Sequence, residues 1–327
     1  MAGNNQKQFD VVTFGETMLR LSAPGFSRLE ETDSLDLRIG GSESNTAVGL
    51  ARLGLKVNWW SKLPNNPLGR RIENEIRRWG VDTSGMIWDD SPDSRAGLYF
   101  LDFGVPPRGI DVYYDRAASS MSRITALEID SERIVSARLL HLSGITPALS
   151  PYAAKAVTKA IMIANEAGVK VSFDINYRSK LWRPEVAKQE LEPMLPMIDT
   201  LLTPLEDAEK LFGIVGDADF VAKEFRERYG IETVIVTCGG EGVVACNSSG
   251  EYSAKPFSLS HVVDRVGAGD AFNAGLLMGC LEGDLQKGLN YGIAMSALKH
   301  TMPGDLLLST RAEIETAVNG GRASISR

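Results

Sequence analysis

Short, β-branched apolar runs recur along the chain with amphipathic helical stretches between them, and this rhythm constrains the fold more than any other feature. The runs are Phe9–Phe14, Leu55–Trp60, Leu139–Leu142, Val169–Phe173 and Thr233–Thr237. A run that is apolar at nearly every position reads as a strand buried on both faces. Between the runs, Leu68, Ile72, Ile76 and Trp79 share one helical face, as do Ala154, Val157, Ile161 and Ala164. Alternation of strand and helix requires crossover connections. The expected architecture is therefore α/β, a doubly wound and mostly parallel sheet flanked by helices.

Two regions break the alternation. Leu19–Ala23 with Leu35–Ile39, and Gly97–Phe103 with Asp111–Arg116, are strand-like pairs joined by turns rich in Pro, Gly, Ser and Asp, with no helical stretch between them. They predict a small inserted sheet spanning residues 17–40 and 95–118, a lid or a surface for a homodimer. Residues 9–318 read as one domain, with 1–8 and 319–327 as flexible tails.

Composition narrows the function. With 43 % hydrophobic and 24 % charged residues in 327, the chain can bury a full core. A net charge of −7 provides no cationic field for nucleic acid or an anionic membrane, so an anionic substrate needs a local basic pocket. Cys238, Cys246 and Cys280 lack C-x-x-C spacing and read as free thiols. No basic-then-apolar leader is present, and no apolar stretch nears the ~20 residues that cross a bilayer, so the expected location is the cytoplasm. The sequon Asn247-Ser248-Ser249 reads as a turn or a coincidence.

The segment Asp264-Arg265-Val266-Gly267-Ala268-Gly269-Asp270 carries the strongest chemical signal. Two glycines allow a tight turn, and the apolar stretch from Asp270 to Leu281 continues as a helix, so amides and the positive end of a helix dipole converge where a phosphate could sit. A carboxylate at that mouth suits taking the proton from a hydroxyl that attacks phosphorus, although Asp is also a common helix cap. There is no G-K-[ST] and no G-x-G-x-x-G after the first strand, and His141, His261 and His300 stand alone. Walker-type, dinucleotide-dependent and metalloprotease readings lose their support.

With Gly40-Gly41-Ser42-Glu43-Ser44-Asn45-Thr46-Ala47 upstream, this segment resembles the paired signatures of the ribokinase-like (PfkB) carbohydrate kinases. Phe14–Gly25, His141–Ser150, Ser172–Trp182 and Leu298–Asp305 resemble the 2-keto-3-deoxygluconate kinase branch, and the likeness runs from about residue 9 to 318. It implies a ribokinase-like fold and ATP-dependent phosphorylation of 2-keto-3-deoxygluconate to its 6-phosphate. Asp270 would be the general base, and the amides of Gly267, Ala268 and Gly269 the anion hole. Relatives commonly read D-T-x-G-A-G-D; here Arg265 and Val266 stand in place of Thr-x, as in the sugar-acid branch. Arg265 either neutralises triphosphate charge or faces solvent.

A keto-deoxy sugar acid presents a carboxylate, which a guanidinium grips bidentately. Arg178, just beyond the run ending Asp174-Ile175-Asn176, matches the arginine with that role in these kinases, the plainer reading being a surface arginine. The inserted strands offer Tyr99, Tyr114 and Arg116 for the sugar, Tyr114-Asp115-Arg116 standing where some relatives read Y-Y-R; the face shared by Tyr114 and Arg116 could instead meet a second subunit. Gly41, Asn45 and Asp305 correspond to further sugar contacts, Asn45 and Asp305 being equally suited to holding turns. Thr237, Gly239 and Gly242 match the strand end that approaches ATP phosphates, though a hairpin turn would use the same glycines. For Mg2+, relatives read N-x-x-E where this chain has Pro204-Leu205-Glu206-Asp207, which leaves Asp207 as the metal-site residue. Rival readings are a fructokinase or other sugar kinase on the same scaffold, and a non-catalytic sugar- or nucleotide-binding paralogue.

Overall fold

The computed structural model describes residues 7–105 and 107–321. Its centre is an eight-stranded sheet in the order Gly250–Ala254, Val243–Asn247, Thr233–Thr237, Thr200–Pro204, Lys170–Asp174, Ala137–Ser143, Phe9–Phe14, Val57–Trp60. Pairing is parallel from Thr233–Thr237 to Val57–Trp60, while the two strands at the other edge join antiparallel. Alternate residues feed opposite faces. Val12, Phe14, Leu140, Leu142, Val171 and Phe173 enter one core, whereas Val11 and Leu139, and further along Leu202 and Ile235, enter the cores on the other side. Both faces are apolar because helices cover both.

Each sequence-expected strand is present, with ends shifted by at most two residues. The strand Thr200–Pro204, the edge hairpin Val243–Ala254 and a two-stranded ribbon of Lys62–Pro64 with Ile87–Asp89 were not anticipated. Prolines end two of them and the outer hairpin strand is polar, so these lack the continuous apolar run that marked the others; the inner hairpin strand does carry one, Val243–Cys246, which went unread. The glycines after Thr237 do form a hairpin turn, and Asn247 turns the next one, its Oδ1 accepting from Ser249 N at 2.8 Å. Ile72 and Ile76 are buried on the helix Pro67–Arg77, but Leu68 in its first turn is exposed and Trp79 lies past its end.

The second sheet runs Asp36–Gly40, Met18–Ser22, Leu98–Asp102, Asp111–Asp115. Two antiparallel pairs meet through a parallel centre, which places Arg20, Tyr99 and Tyr114 in one cross-strand row and Leu37, Leu21, Phe100 and Tyr113 in the next. The first row faces the main sheet's carboxyl ends and the second faces away. Of the expected tails, residues 1–6 and 322–327 lie outside the described residues; Gln8 N donates to Ser136 O at 2.8 Å and Lys7 Nζ to Val135 O at 2.7 Å. Among the described residues no helix is long and apolar enough to cross a membrane.

Candidate active site

The turn before the helix Ala268–Glu282 is built for close backbone approach. Gly267 is its N-cap with φ +85°, and a Cβ there would lie 2.0 Å from the carbonyl oxygen of Asp305, so only glycine fits. No side chain caps this helix. Asp270, in its first turn, reaches away from it: Oδ1 accepts from Ser42 Oγ at 2.8 Å and Oδ2 from Asn45 Nδ2 at 2.7 Å. The cap reading of Asp270 is thereby set aside. Of the three residues expected to offer amides, Ala268 turns its N–H back to Arg265 O at 3.3 Å, while Gly267 and Gly269 line the cavity in front of the turn. Burial raises the Asp270 pKa, and the bonds from Asn45 and Ser42 and the charge of Arg178 oppose the rise.

Asn45 therefore serves the carboxylate, its Oδ1 also accepting from Gly41 N at 3.3 Å. Two acidic residues that sequence reasoning did not single out lie close by. Glu43 is fully buried and accepts from Ser143 Oγ and Thr146 Oγ1, both at 2.8 Å; burial lifts its pKa to about 7. Asp174, at the end of a central strand, accepts from Asn273 Nδ2 at 2.8 Å and from Asn176 N at 3.2 Å, and burial with the neighbouring Asp270 lifts it to about 7. Asn176, at φ +42°, donates to Ser42 Oγ at 2.9 Å and so joins the strand end to the group that holds Asp270. The signal for Asp174 was in the sequence, a carboxylate at a parallel strand's carboxyl end.

The inserted sheet brings Tyr99, Tyr114 and Arg116 to the same place, a small cavity of ≈ 90 Å³ also lined by Gly41, Asn45, Arg178, Asp270 and Asp305. Its charges are largely paired internally. Arg116 donates Nε to Glu16 Oε2 at 2.7 Å with both side chains buried. Asp305 accepts from Tyr99 Oη at 2.6 Å and from Arg20 Nη1 at 2.6 Å, and Arg20 Nη2 meets Asp264 Oδ2 at 2.5 Å. Glu16 and Arg20, neither of which stands in the two signatures, are the partners that give Arg116 and Asp305 their positions.

A larger cavity of ≈ 630 Å³ adjoins the small one along Tyr99, Tyr114, Arg178, Gly267 and Asp270, and extends past Asp174 to Thr237, Gly239, Gly242 and Arg265. Gly242 has φ +110° with its Cβ direction blocked by Ala254 O, so the hairpin turn keeps its backbone open to the cavity. Arg178 is exposed at the junction of the two cavities. Among the described residues its side chain makes one hydrogen bond, a long one of 3.4 Å to Tyr177 O, and neither it nor Arg265 has a carboxylate partner there. Asp207 does not line the cavity; it accepts from Tyr177 N at 3.3 Å. No group of three His, Cys, Asp or Glu suited to a metal occurs among the described residues.

An uncapped helix N-terminus with a half-buried carboxylate in its first turn, facing a long cavity and a smaller polar one, is the arrangement of an enzyme that moves a phosphoryl group onto a hydroxyl. Comparison with known proteins agrees: residues 8–310 match the pfkB family carbohydrate kinase profile, and the chain belongs to that family, as a sugar kinase. It is 40 % identical to the 2-dehydro-3-deoxygalactonokinase of Haloferax volcanii over 97 % of this chain and 99 % of that protein. Identity to the 2-dehydro-3-deoxygluconokinase of Bacillus subtilis is 32 %, covering 96 % and 97 %. The crystal structure of the 2-dehydro-3-deoxygluconokinase from Thermotoga maritima superposes with a TM-score of 0.89 at 38 % identity, covering 95 % of this chain and 98 % of that one.

Proposed function

We propose that the chain transfers the γ-phosphoryl group of ATP to the terminal hydroxymethyl of a 2-keto-3-deoxy sugar acid, 2-keto-3-deoxygluconate, in the cytoplasm. The observation that carries this reading is Arg178, a guanidinium with no internal carboxylate partner at the junction of the two cavities, beside a basic residue, Arg116, that Glu16 already neutralises. A neutral sugar would leave Arg178 to solvent and to the field of Asp270, Asp174 and Asp207, with no carboxylate at hydrogen-bond distance. The relatives named for sugar acids of gluconate and galactonate configuration support the same substrate class.

In this reading the sugar acid lies in the small cavity, with its chain bounded by Tyr99, Tyr114 and Gly41 and its carboxylate on Arg178. The hydroxyl oxygen forms a bond to the γ-phosphorus as the bond to the β-phosphate oxygen breaks, and the hydroxyl proton passes to Asp270. ADP and the 6-phosphate ester result. Ser42 and Asn45 fix both oxygens of Asp270 so that it meets the hydroxyl in one orientation. The amides of Gly267 and Gly269 face the charge that spreads over the phosphoryl oxygens. The triphosphate belongs in the larger cavity along Thr237, Gly239, Gly242 and Arg265. Mg2+ is held mainly by phosphates and water and needs only one or two protein carboxylates, which suits a site with a single cavity-lining acid beyond Asp270. Asp174 is that acid, with Asp207 behind it; the ion would neutralise phosphate charge.

A homodimer through the inserted sheet is part of the proposal. Its outward row, Leu37, Leu21, Phe100 and Tyr113, is apolar and in register, and Leu37 and Tyr113 are 38 % and 55 % exposed. The function is tested by a coupled ADP-release assay with 2-keto-3-deoxygluconate, 2-keto-3-deoxygalactonate, fructose and ribose. Selective turnover of the two acids is expected, and preference for a neutral sugar would replace the sugar-acid reading with that of a fructokinase-type enzyme.

A further inference from the structure

A cavity of ≈ 330 Å³ shares Asp305, and no other lining residue, with the small cavity in which the sugar acid is placed. Its walls come from the strand Asp36–Gly40 of the inserted sheet, the helix Pro67–Arg77 with Arg78 at its end, and the chain from Pro303 to Leu308. Three arginines line it in a chain of net charge −7: Arg38, Arg71 and Arg78. Arg78 is occupied, its Nη1 meeting Glu75 Oε2 at 3.3 Å and its guanidinium lying over Trp79. Arg70 and Arg77, on the same helix, donate to Asn65 Oδ1 and Asn74 Oδ1, both at 2.6 Å. Arg38 and Arg71 are exposed, and among the described residues neither has a carboxylate or any other hydrogen-bond partner. Of the three carboxylates in the lining, Asp305 is taken by Arg20 and Glu75 by Arg78, which leaves Asp36 as the one free anion against two free cations.

Strand register makes Arg38 costly where it stands. It lies directly opposite Arg20 in the antiparallel pairing of Asp36–Gly40 with Met18–Ser22, and like charges directly opposite each other destabilise such a pair. Asp264 and Asp305 answer the charge of Arg20, but among the described residues none answers that of Arg38. Either free arginine alone would be an ordinary solvated side chain. Two of them, brought to one cavity by different elements and accompanied there by Ile39, Leu306 and Leu308, suit a small anion with a charged group at each end of a short carbon chain. We propose that this cavity is a second ligand site, for a phosphorylated sugar acid, with Arg38 and Arg71 each taking one of its two anionic heads. The choice of ligand rests on the proposed function, since a molecule with both a carboxylate and a phosphate is the class of that reaction's product. Occupancy reaches the sugar cavity through one loop. A Cβ on Gly304 would lie 3.0 Å from Arg38 Cδ, so the Arg38 side chain lies against the loop whose next residue, Asp305, accepts from Tyr99 Oη. An anion that draws Arg38 off Gly304 withdraws that support, the sugar acid binds less well, and the product restrains its own formation from outside the sugar cavity.

The test titrates 6-phosphogluconate, a stable phosphorylated sugar acid, into the full chain by calorimetry, beside gluconate and inorganic phosphate, which carry one head each. Arg38→Gln and Arg71→Gln should each weaken 6-phosphogluconate about tenfold or more and keep the parent's melting temperature, since both side chains are exposed. Arg178→Ala should leave this binding intact, because Arg178 lines only the other cavities. Gluconate and phosphate should each bind more weakly than the two-headed ligand. In kinetics, 6-phosphogluconate should raise KM for 2-keto-3-deoxygluconate about fivefold to a plateau with kcat unchanged, and Arg71→Gln should abolish the rise. No binding, binding equal in the parent and both glutamine variants, or binding lost only in Arg178→Ala would overturn the site. A KM that climbs without limit and equally in Arg71→Gln would show direct competition in the sugar cavity and overturn the regulation. If the chain does not turn over the sugar acid at all, the proposed function falls, while the titrations still decide whether the second site exists.

Discussion

Removing the Arg178 side chain separates substrate recognition from stability, because the structure gives that side chain so little else to do. It is exposed, has no carboxylate partner among the described residues, and makes one long hydrogen bond to its neighbour's carbonyl. Arg178→Ala should therefore change folding stability by no more than about 0.5 kcal/mol. Toward a bound sugar acid it removes two charge-assisted hydrogen bonds and leaves the carboxylate unpaired, a penalty of roughly 2–5 kcal/mol. Since each 1.4 kcal/mol is about tenfold, kcat/KM for 2-keto-3-deoxygluconate should fall between roughly 30-fold and several thousand-fold. Fructose, if turned over at all, should fall far less, and Arg178→Lys should recover only part of the loss because a point charge lacks the planar fork. The positive charge of Arg178 also holds down the pKa values of Asp270, Asp174 and Asp207, against the burial that raises them. A base works when deprotonated, so activity is lost as pH falls through its pKa; without Arg178 that acidic limb should move to higher pH. Steady-state kinetics for both acceptors, with a pH profile and a thermal melt, measure all of this. Equal losses for sugar acid and fructose would show that Arg178 acts on the phosphoryl group or on the fold.

Asp270→Asn should retain ATP affinity and the fold but lose about 10²-fold or more in kcat, since the amide keeps the shape and not the proton acceptor; isothermal titration with ATP and single-turnover kinetics check the two halves. Glu43 has its pKa raised from 4.5 to about 7, so the folded chain keeps a proton that the unfolded chain releases, and its contribution to stability is full below about pH 4.5 and lost as pH rises through about 7. Glu43→Gln, which still accepts from Ser143 and Thr146, should melt at a higher temperature than the parent at about pH 8 and at nearly the same temperature at about pH 5; no difference between the two pH values would contradict the burial account. Phe100→Asp should convert the dimer to a monomer in light scattering, and a parent that is already monomeric would remove that interface from the proposal. Hydrogen exchange in Asp111–Asp115, the exposed outer strand, should slow when sugar acid binds, with little change in Met18–Ser22, which Arg20 already ties to Asp264 and Asp305; slowing across both would mean that the small sheet moves as one body.

The layered fold was legible because its buried strands carry their own signal: Phe9–Phe14 and Thr233–Thr237 are apolar along their length and were located to the residue. Where a strand is short or polar on one side, as in Gly250–Ala254, the pattern thins and the element goes unread. The site shows the same division. Gly267 and Asp270 advertise themselves through glycine spacing at a helix start, and the structure puts them, with Arg178, Tyr99, Tyr114, Thr237 and Gly242, around connected cavities. What could not be read was pairing. That Asn45 and Ser42 hold Asp270, that Glu16 neutralises Arg116, and that Arg20 and Tyr99 occupy Asp305 are contacts between residues far apart in the chain, which periodicity cannot register.

Those pairings explain why so much charge is buried at one end of the sheet. A buried ion pair adds little net stability, since desolvation offsets most of its attraction. Each of these, however, ties the inserted sheet to something else: Arg20 in Met18–Ser22 to the loops on both sides of Gly267, and Arg116, just past Asp111–Asp115, to Glu16 beside the first strand of the main sheet. Breaking one leaves an unpaired charge with no water to receive it, so wrong placements of the small sheet are penalised more than the right one is favoured. The result is a cavity whose walls are fixed by ions that cancel one another. On the proposed reading, the cavity-lining arginines with no carboxylate partner among the described residues, Arg178 at the junction and Arg265 in the larger cavity, would then set the sign of what binds: a carboxylate on the first and a polyphosphate on the second.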